Sequence, residues 1–172
     1  MVAKISPNCR IRYPKHFKVS HDSIIDDFCY FSTKIQIGEF CHIASGCTIA
    51  GGKNYSFTLG NFSSISSGVR IWCNSNDFVN DLIILKTKNV AIEDAPITGN
   101  VTLGNMCGIG ANSVIMPANN IPDGVAIGAL SFVPPRFKFK SWSVYAGVPI
   151  KFIKKRNKKT VLKQIQKIQS QS

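Results

Sequence analysis

The sequence predicts an all-β solenoid made of short strands and tight corners that repeat every six residues. A spacing of six fits neither the helical period of about 3.6 residues nor a strand of ordinary length, so we expect three short strands per turn. Aliphatic or aromatic residues recur at this spacing in two runs, the first interrupted by a four-residue insertion after Ile49: Phe31, Ile37, Ile43, Ile49, Leu59, Ile65 and Ile71, then Leu103, Ile109, Ile115, Ile121, Ile127 and Val133. A weaker stretch precedes them: Ile5, Ile11, Val19 and Ile25.

Small residues occupy two further positions of the repeat. Glycine follows the aliphatic residue at Gly38, Gly60, Gly104, Gly110 and Gly128, which indicates a corner where φ is positive or the backbone is crowded. Five of the six cysteines lie at the fourth position after the aliphatic residue: Cys9, Cys29, Cys41, Cys47 and Cys107. Because a cysteine in such a slot behaves as a small buried hydrophobic residue, we interpret these five as packing residues and not as catalytic thiols.

Length and composition place the chain among ordinary globular proteins. Its 172 residues suffice for one domain with a buried core. The sequence has no run of about 18 or more apolar residues, so no membrane span is predicted, and MVAKISPNCR has no apolar signal core. Together with the absence of a CxxC pair, this predicts a cytoplasmic protein whose thiols are reduced.

The net charge of +12 is concentrated at the C-terminus. All nine acidic residues lie at or before Asp123, and only lysines and arginines follow it among the charged residues. Such a block attracts nucleic acid, anionic lipid or a polyphosphate cofactor, or it simply keeps the protein soluble. No known nucleic-acid-binding motif accompanies the basic residues, so nucleic acid is not expected, whereas peripheral membrane contact stays open.

Two segments depart from the six-residue period. Residues 72 to about 100 form a long insertion between the two regular runs, and a long excursion from a rigid scaffold is usually functional. At the C-terminus, KKTVLKQIQKIQSQS places Val161, Leu162, Ile165 and Ile168 on one helical face. This helix would cover the end of the solenoid or pack on a neighbouring subunit. We therefore predict a β-helix domain over 1–156 and a basic helix over 157–172.

The repeat pattern, the long loop and the closing segment WSVYAGVPIKFIKKR resemble the bacterial hexapeptide-repeat acyltransferases, from about Val19 to Arg156. The closing segment is similar to the family signature AGVPAK-x-I, with Ile150 where alanine is usual. GEFCHIASGCTIAGG and SSISSGVRIWCNSNDF look most like acetyltransferases that modify sugars for surface polysaccharides.

The resemblance implies a left-handed parallel β-helix, a hexapeptide-repeat solenoid that assembles as a homotrimer with active sites between subunits. It also implies an EC 2.3.1-type acyltransferase, with acetyl-CoA bound in the groove between neighbouring solenoids. The implied reaction moves an acetyl group to a hydroxyl or amino group of a sugar or nucleotide-linked sugar, for lipopolysaccharide or capsule biosynthesis. The choice between oxygen and nitrogen stays open.

One position departs from the family pattern. Many members carry a catalytic histidine just after the coil that opens the long loop, and Asn76 stands there in this chain. An asparagine cannot act as a general base, although it can orient a substrate. The alternative function is therefore a non-catalytic trimeric scaffold that has lost its base.

Acyl transfer needs a base for the attacking group, and histidine is the side chain best suited to that role at neutral pH. The chain has three histidines, His16, His21 and His42. His42 lies in GEFCHIASG, which is similar to a GDFVHIAPG segment whose histidine contacts the acetyl group in sugar-nucleotide N-acetyltransferases. The proposed base of that branch lies nine residues earlier, where this chain has Thr33. We predict His42 as the base or as the thioester contact, with Asp77 as a second base or as its orienting group.

The remaining site residues divide between the two substrates. The loop provides polar groups that could bind sugar hydroxyls, namely Asn74, Asn76, Asn80 and Asp81, although turn formation alone also favours these residue types. For coenzyme A, small residues allow close approach to the pantetheine amides and basic ones suit the phosphates: Gly110, Ala111, Ala129, Lys151 and Arg156. Three histidines, two of them in the irregular N-terminal part, make a three-histidine zinc site of the carbonic anhydrase type improbable, so no metal is expected.

Overall fold

The computed structural model describes residues 2–76 and 96–170, and the chain winds as a left-handed parallel β-helix of about six turns. The strands are β1 Lys4–Ile5, β2 Arg10–Ile11, β3 Phe17–Val19, β4 Ile24–Ile25, β5 Tyr30–Ile37, β6 His42–Ile43, β7 Thr48–Leu59, β8 Ser64–Ile65, β9 Arg70–Trp72, β10 Asn74–Asn76, β11 Pro96–Thr98, β12 Val101–Leu103, β13 Gly108–Ile109, β14 Val114–Ile115, β15 Asn120–Ile121, β16 Ala126–Ile127, β17 Phe132–Val133, β18 Ser143–Ala146 and β19 Lys151–Lys155. A 3₁₀ turn spans Pro14–His16, and helix α1 spans Lys158–Gln169.

Each turn of the solenoid contributes strands to three faces. The first face is a sheet in the order β1-β4-β6-β8-β13-β16-β18-β19, parallel except for the last pair. The second and third faces share one sheet, because β5 and β7 bend around the corner between them and stay paired over most of their length. Strands β2, β9, β14 and β17 complete the second face, and β3, β12 and β15 complete the third.

The six-residue period predicts the core correctly. On the first face, one interior column consists of isoleucines in register, Ile25, Ile43, Ile65, Ile109 and Ile127, each no more than 3% exposed. Every aliphatic position of the two regular runs is buried in the same way. Identical side chains at matching heights pack on one another from coil to coil, so the hydrophobic core runs the length of the solenoid.

The corner glycines are required because the backbone is crowded there, not because φ is positive. A Cβ built on Gly60 would lie 2.5 Å from the carbonyl carbon of Gly104 in the next coil, and no positive φ occurs at Gly60. Positive φ values recur instead two positions later, and mostly at non-glycine residues with φ between 53° and 60°: Asp22, Phe28, Phe40, Phe62, Met106, Asn112, Ala118, Leu130, Arg136 and Trp142. Each such residue costs on the order of 1 kcal/mol, so the stacked coils hold these corners against their local preference.

Two side-chain amides and a carboxylate form a ladder of hydrogen bonds that joins successive coils at the corner between the third and first faces. The Oδ1 atom of Asn61 accepts from the Glu39 N–H at 2.9 Å, and Oδ1 of Asn105 accepts from the Asn61 N–H at 2.8 Å. Asp123 continues the ladder by accepting from the Asn105 N–H at 2.8 Å. These groups satisfy backbone donors that the corner would otherwise leave unpaired.

The cysteines are packing residues, as predicted. All six are unpaired thiols, and five of them are buried, with Cys9 the half-buried exception. Burial raises the pKa of the Cys73 and Cys107 thiols to about 11, so neither is a thiolate at neutral pH. Cys107 Sγ lies 3.3 Å from the carbonyl oxygen of Pro122, which is a satisfied interior contact.

The C-terminal end of the solenoid is closed by an aromatic cluster and not by the helix. The rings of Phe137, Phe139, Tyr145 and Phe152 contact one another at centroid distances of 4.8 to 5.8 Å. Helix α1 lies within the predicted range and is capped by Asn157, whose Oδ1 accepts from the Thr160 N–H at 3.1 Å. None of its residues is fully buried and only Val161 and Ile165 are half-buried, so within one chain it covers little of the solenoid. Packing on a neighbouring subunit, the other expected role, stays a prediction.

Within residues 2–76 and 96–170, no helix has the length and apolarity that crossing a membrane requires.

Candidate functional site

His42 lies on the outer side of the first face and is paired with a carboxylate. It is flanked in register by Ile24 of the preceding coil and Ser64 of the following one. Its Nε2 lies 2.8 Å from Oδ2 of Asp26, and the two side chains are 47% and 41% exposed. Because alternate residues of an extended segment point to the same side, Asp26 shares the outer side with Ile24 and reaches His42 diagonally.

This pairing fixes the chemistry available to His42. When the Nε2–H donates to Asp26, the Nδ1 atom carries the lone pair and can accept a proton from a nearby nucleophile. The carboxylate then stabilises the imidazolium that forms, as the aspartate does in serine protease triads. The arrangement is therefore chemically able to act as an oriented general base, and both side chains are open to solvent.

Asp26 is a residue that the sequence reasoning missed. The spacing could have indicated it. One coil at this point takes 18 residues, from Ile25 to Ile43, so Asp26, which precedes His42 by 16, lies beside it in the preceding coil. Asp77 was expected to orient His42 or to act as a base, but it lies outside the described residues together with Asn80 and Asp81.

A small-residue strip, consisting of Ser64, Gly108 and Ala126, extends from His42 along the first face. These residues occupy equivalent positions on β8, β13 and β16. A Cβ built on Gly108 would meet no atom within 4 Å, so the surface above it is open. With a strand spacing of about 4.8 Å, the strip extends about 14 Å from His42, which suits an extended ligand.

Gly110, Ala111 and Ala129 lie at the corner that follows β13 and β16, along one edge of the strip. The Gly110 N–H donates to the Ile127 carbonyl at 2.8 Å, so this N–H is not the group that would meet a pantetheine amide. A Cβ on Gly110 would also lie 2.3 Å from the Ala129 nitrogen, which gives this glycine a structural reason independent of ligand binding. The Ala111 carbonyl accepts from the Leu130 N–H at 2.9 Å.

Lys151 and Arg156 lie at the C-terminal end of the solenoid. Lys151 begins β19 and is exposed, so its ammonium group is accessible to an anion. Arg156 is half-buried, and its Nη1 donates to the carbonyl oxygens of Met106 and Gly124. This contact ties Arg156 to two earlier coils, a role that the sequence did not indicate.

Asn74 and Asn76 lie at the corner between the second and third faces, whereas His42 lies on the first face. They belong to β10, which pairs with β11 in an antiparallel ribbon at the base of the insertion, where the second face ends. The described part of one chain therefore does not bring these asparagines to the histidine.

Thr33, at the position of the usual base, and the other two histidines have different surroundings from His42. Thr33 is 2% exposed, and its Oγ1 contacts the carbonyl oxygens of Gly52 and Tyr55 at 3.1 and 2.6 Å. His21 lies between two carboxylates, with Nδ1 2.8 Å from Asp22 and Nε2 3.1 Å from Glu39. His16 ends the exposed 3₁₀ turn. In the parts of the chain that are described, no three histidine, cysteine, aspartate or glutamate side chains group as a metal site would require.

The class of protein, a β-helix acyltransferase, is shown by comparison with known proteins, and the fold agrees with it. The chain is 31% identical over 166 residues to the dTDP-4-amino-4,6-dideoxy-D-glucose acyltransferase of Escherichia coli, covering 91% of this chain and 80% of that protein. It is 30% identical over 134 residues to WbbJ of E. coli K12, a putative lipopolysaccharide biosynthesis O-acetyl transferase, covering 77% of this chain and 63% of that one.

Among solved structures, the chain is similar to AntD, an N-acyltransferase from Bacillus cereus. The complex of AntD with dTDP and 3-hydroxybutyryl-CoA superposes with a TM-score of 0.82 at 31% identity, covering 99% of this chain and 90% of that one. A variant of AntD with dTDP-4-amino-4,6-dideoxyglucose and coenzyme A gives a TM-score of 0.84. No protein-family model matches the chain.

The chain belongs to the hexapeptide-repeat acyltransferase family. It is an acyl-CoA-dependent transferase.

Proposed function

We propose that this protein transfers an acyl group, acetyl as the first to test, from acyl-CoA to the amino group of a nucleotide-linked amino sugar. The observation that carries the proposal is the His42–Asp26 pair at one end of the small-residue strip. The E. coli relative and AntD both involve dTDP-4-amino-4,6-dideoxyglucose, which makes a dTDP-linked 4-amino sugar the first acceptor to test.

The geometry supports a direct transfer. The pantetheine arm lies extended along the strip, which brings the thioester close to His42. The neutral amine attacks the thioester carbonyl, a C–N bond forms, and Nδ1 of His42 takes the proton that the nitrogen loses. Collapse of the tetrahedral intermediate breaks the C–S bond, and the imidazolium, held by Asp26, returns a proton to the departing thiolate. Lys151 is our candidate for a cofactor phosphate.

We propose that the active site is formed by two subunits of a homotrimer. His42 and the asparagines of β10 lie at different corners of one solenoid, so a site that contains both requires the loop of one subunit to reach the first face of its neighbour. A cyclic trimer would repeat this arrangement at each interface. On this model Asn74 and Asn76, with Asn80, Asp77 and Asp81, bind the acceptor across the interface.

Two inactive variants are expected to restore activity when they are assembled together. In random trimers of His42→Gln and Asn76→Ala chains, an interface is intact when the chain that supplies His42 and the neighbour that supplies Asn76 are both native at those positions. This holds for about a quarter of the interfaces, so activity should rise toward about a quarter of the wild-type value. Refolding the two variants together and measuring thiol release tests this, with separately refolded variants as the control. If the mixture is no more active than its components, the two residues do not act across an interface.

Release of coenzyme A thiol measures the proposed reaction. With acetyl-CoA we expect release and an N-acetylated product with dTDP-4-amino-4,6-dideoxyglucose, and much less with a dTDP-sugar whose 4-position carries a hydroxyl. Acetyl-CoA should also raise the melting temperature. If neither a thermal shift nor thiol release occurs over a broad panel of acceptors, the non-catalytic trimeric scaffold is the better account.

A second candidate is O-acetylation of a sugar in lipopolysaccharide or capsule biosynthesis. A hydroxyl needs an oriented base more than an amine does, and the Asp26–His42 pair provides one. WbbJ is named for this chemistry. Thiol release with the hydroxyl sugar and none with the amino sugar would favour it. For either acceptor we propose a cytoplasmic location, because all six cysteines are unpaired thiols.

A further inference from the structure

Strand β19 and helix α1 are both exposed and follow one another at the C-terminus; together they are called here the C-terminal surface. All five residues of β19 are exposed, and α1 buries none of its side chains. Trp142 contacts the junction between the two elements: its carbonyl accepts from the Arg156 N–H at 2.8 Å, and its ring lies 5.3 Å from the Lys158 ammonium. β19 is also the last strand of its sheet, so no further coil covers it.

Large apolar side chains are exposed on this surface. Phe152 and Ile153 on β19 are 51% and 55% exposed, and Leu162 on α1 is 36% exposed. Val148, in the turn that leads to β19, is 74% exposed. A group of such residues at one end of a molecule indicates a contact with something apolar.

The charge of the same surface has a single sign. It carries the exposed lysines Lys151, Lys154, Lys155, Lys158, Lys159, Lys163 and Lys167. No acidic residue follows Asp123 in the chain, so none lies on β19 or α1. Lysine on an edge strand also discourages aggregation, but that role does not account for the exposed Ile153 and Leu162.

We propose that the C-terminal surface binds the surface of an anionic lipid bilayer. Apolar side chains flanked by lysines on a short amphipathic helix are what an interfacial element needs, because the apolar groups enter the headgroup boundary while the cations meet anionic lipid. A second copy of this surface is a poor partner, since two sets of seven lysines would repel each other. Nucleic acid would use the charge but not the exposed apolar residues.

Binding to vesicles tests the proposal with the full-length chain. We expect the protein to sediment with vesicles that contain phosphatidylglycerol, not with phosphatidylcholine alone, and less at high salt. Replacing Lys159, Lys163 and Lys167 with glutamine should weaken binding by about a hundred-fold, at roughly five-fold per lysine. Glutamine preserves helix propensity, and α1 contributes no buried side chain, so this variant should fold normally.

A matched control removes the same charge elsewhere. Lys15, Lys18 and Lys34 are exposed lysines of the early coils, and their replacement by glutamine should leave vesicle binding nearly unchanged. A second variant, Leu162→Ser, should also bind more weakly, because it removes an inserted apolar group. Acyltransferase activity without vesicles should be normal in all three, so failure of this proposal and of the proposed function are separable.

Three outcomes would overturn the proposal. Equal binding to neutral and anionic vesicles would remove the role of charge, and equal losses in both lysine variants would make the effect one of net charge alone. Binding to duplex DNA or self-association without vesicle binding would assign the surface to another partner.

Discussion

Replacing His42 with glutamine is expected to lower kcat by about a hundred-fold or more, with little change in the binding of acyl-CoA. Glutamine retains a hydrogen-bond donor for Asp26 but cannot accept a proton from the nucleophile. General base catalysis typically contributes about 10²- to 10⁴-fold. Steady-state kinetics with both substrates varied separates kcat from KM, and a rise in KM with kcat unchanged would instead make His42 a binding residue.

Variants of Asp26 and His21 test whether the loss of activity is specific to the His42–Asp26 pair. Asp26→Asn should reduce kcat by about ten-fold, because an amide holds the imidazole less firmly and stabilises the imidazolium less. His21→Gln is the matched control, since His21 is also an exposed histidine bonded to carboxylates, yet it lies at the corner before the first face and not on the face itself. Normal activity in His42→Gln would contradict the assignment, as would an equal loss in His21→Gln.

The acceptor determines how the His42→Gln variant responds to pH. An amine attacks without assistance once it is neutral, so a variant acting on an amino sugar should recover part of its activity as pH rises. A hydroxyl needs a base at every pH, so the variant's loss of rate with a hydroxyl acceptor should persist as pH rises. The pH profile of the variant therefore distinguishes N-acylation from O-acylation independently of product analysis.

Replacing Gly60 with alanine is expected to destabilise the fold by about 3 kcal/mol, a loss of roughly 6 to 12 °C in melting temperature for a chain of this size. The new Cβ would lie 2.5 Å from the Gly104 carbonyl carbon and 2.7 Å from the Asn105 nitrogen, both backbone atoms of the next coil. Backbone cannot move aside without separating the coils, so the strain passes into the stacking itself.

Gly108→Ala provides the matched control. Its Cβ would meet no atom within 4 Å, and no positive φ occurs there, so alanine should be neutral or stabilise by up to about 1 kcal/mol. Thermal unfolding of both variants without ligand, at one protein concentration, makes the comparison. Similar melting temperatures for the two variants would contradict the explanation of the corner glycines by crowding.

The period of the sequence predicts the architecture because burial depends on position alone in a regular coil. Each aliphatic residue at the sixth position has the same neighbours above and below, so Ile43 and Ile109 can be assigned to the core without any tertiary information. The packing role of the cysteines follows from the same register. The corners are harder, because their positive φ occurs at residues such as Phe40 and Leu130 that do not favour it locally.

The site is less predictable because it depends on relations between coils. His42 was identified from its local segment, whereas Asp26 meets it only because one coil brings residues 16 apart together. Arg156 was expected to meet phosphates, but its Nη1 contacts carbonyl oxygens 50 and 32 residues earlier. The proposed contribution of the loop depends on Asp77, Asn80 and Asp81, which lie outside the described residues, and on the proposed trimer.

A crystal structure with coenzyme A and dTDP-4-amino-4,6-dideoxyglucose tests the central claim most directly. We predict that the pantetheine arm follows Ser64, Gly108 and Ala126, and that Nδ1 of His42 lies within about 3.2 Å of the acceptor nitrogen or reaches it through one water. The Asp26 contact with Nε2 should persist. An acceptor bound on another face, beyond the reach of His42 even through a water molecule, would contradict the proposed active site.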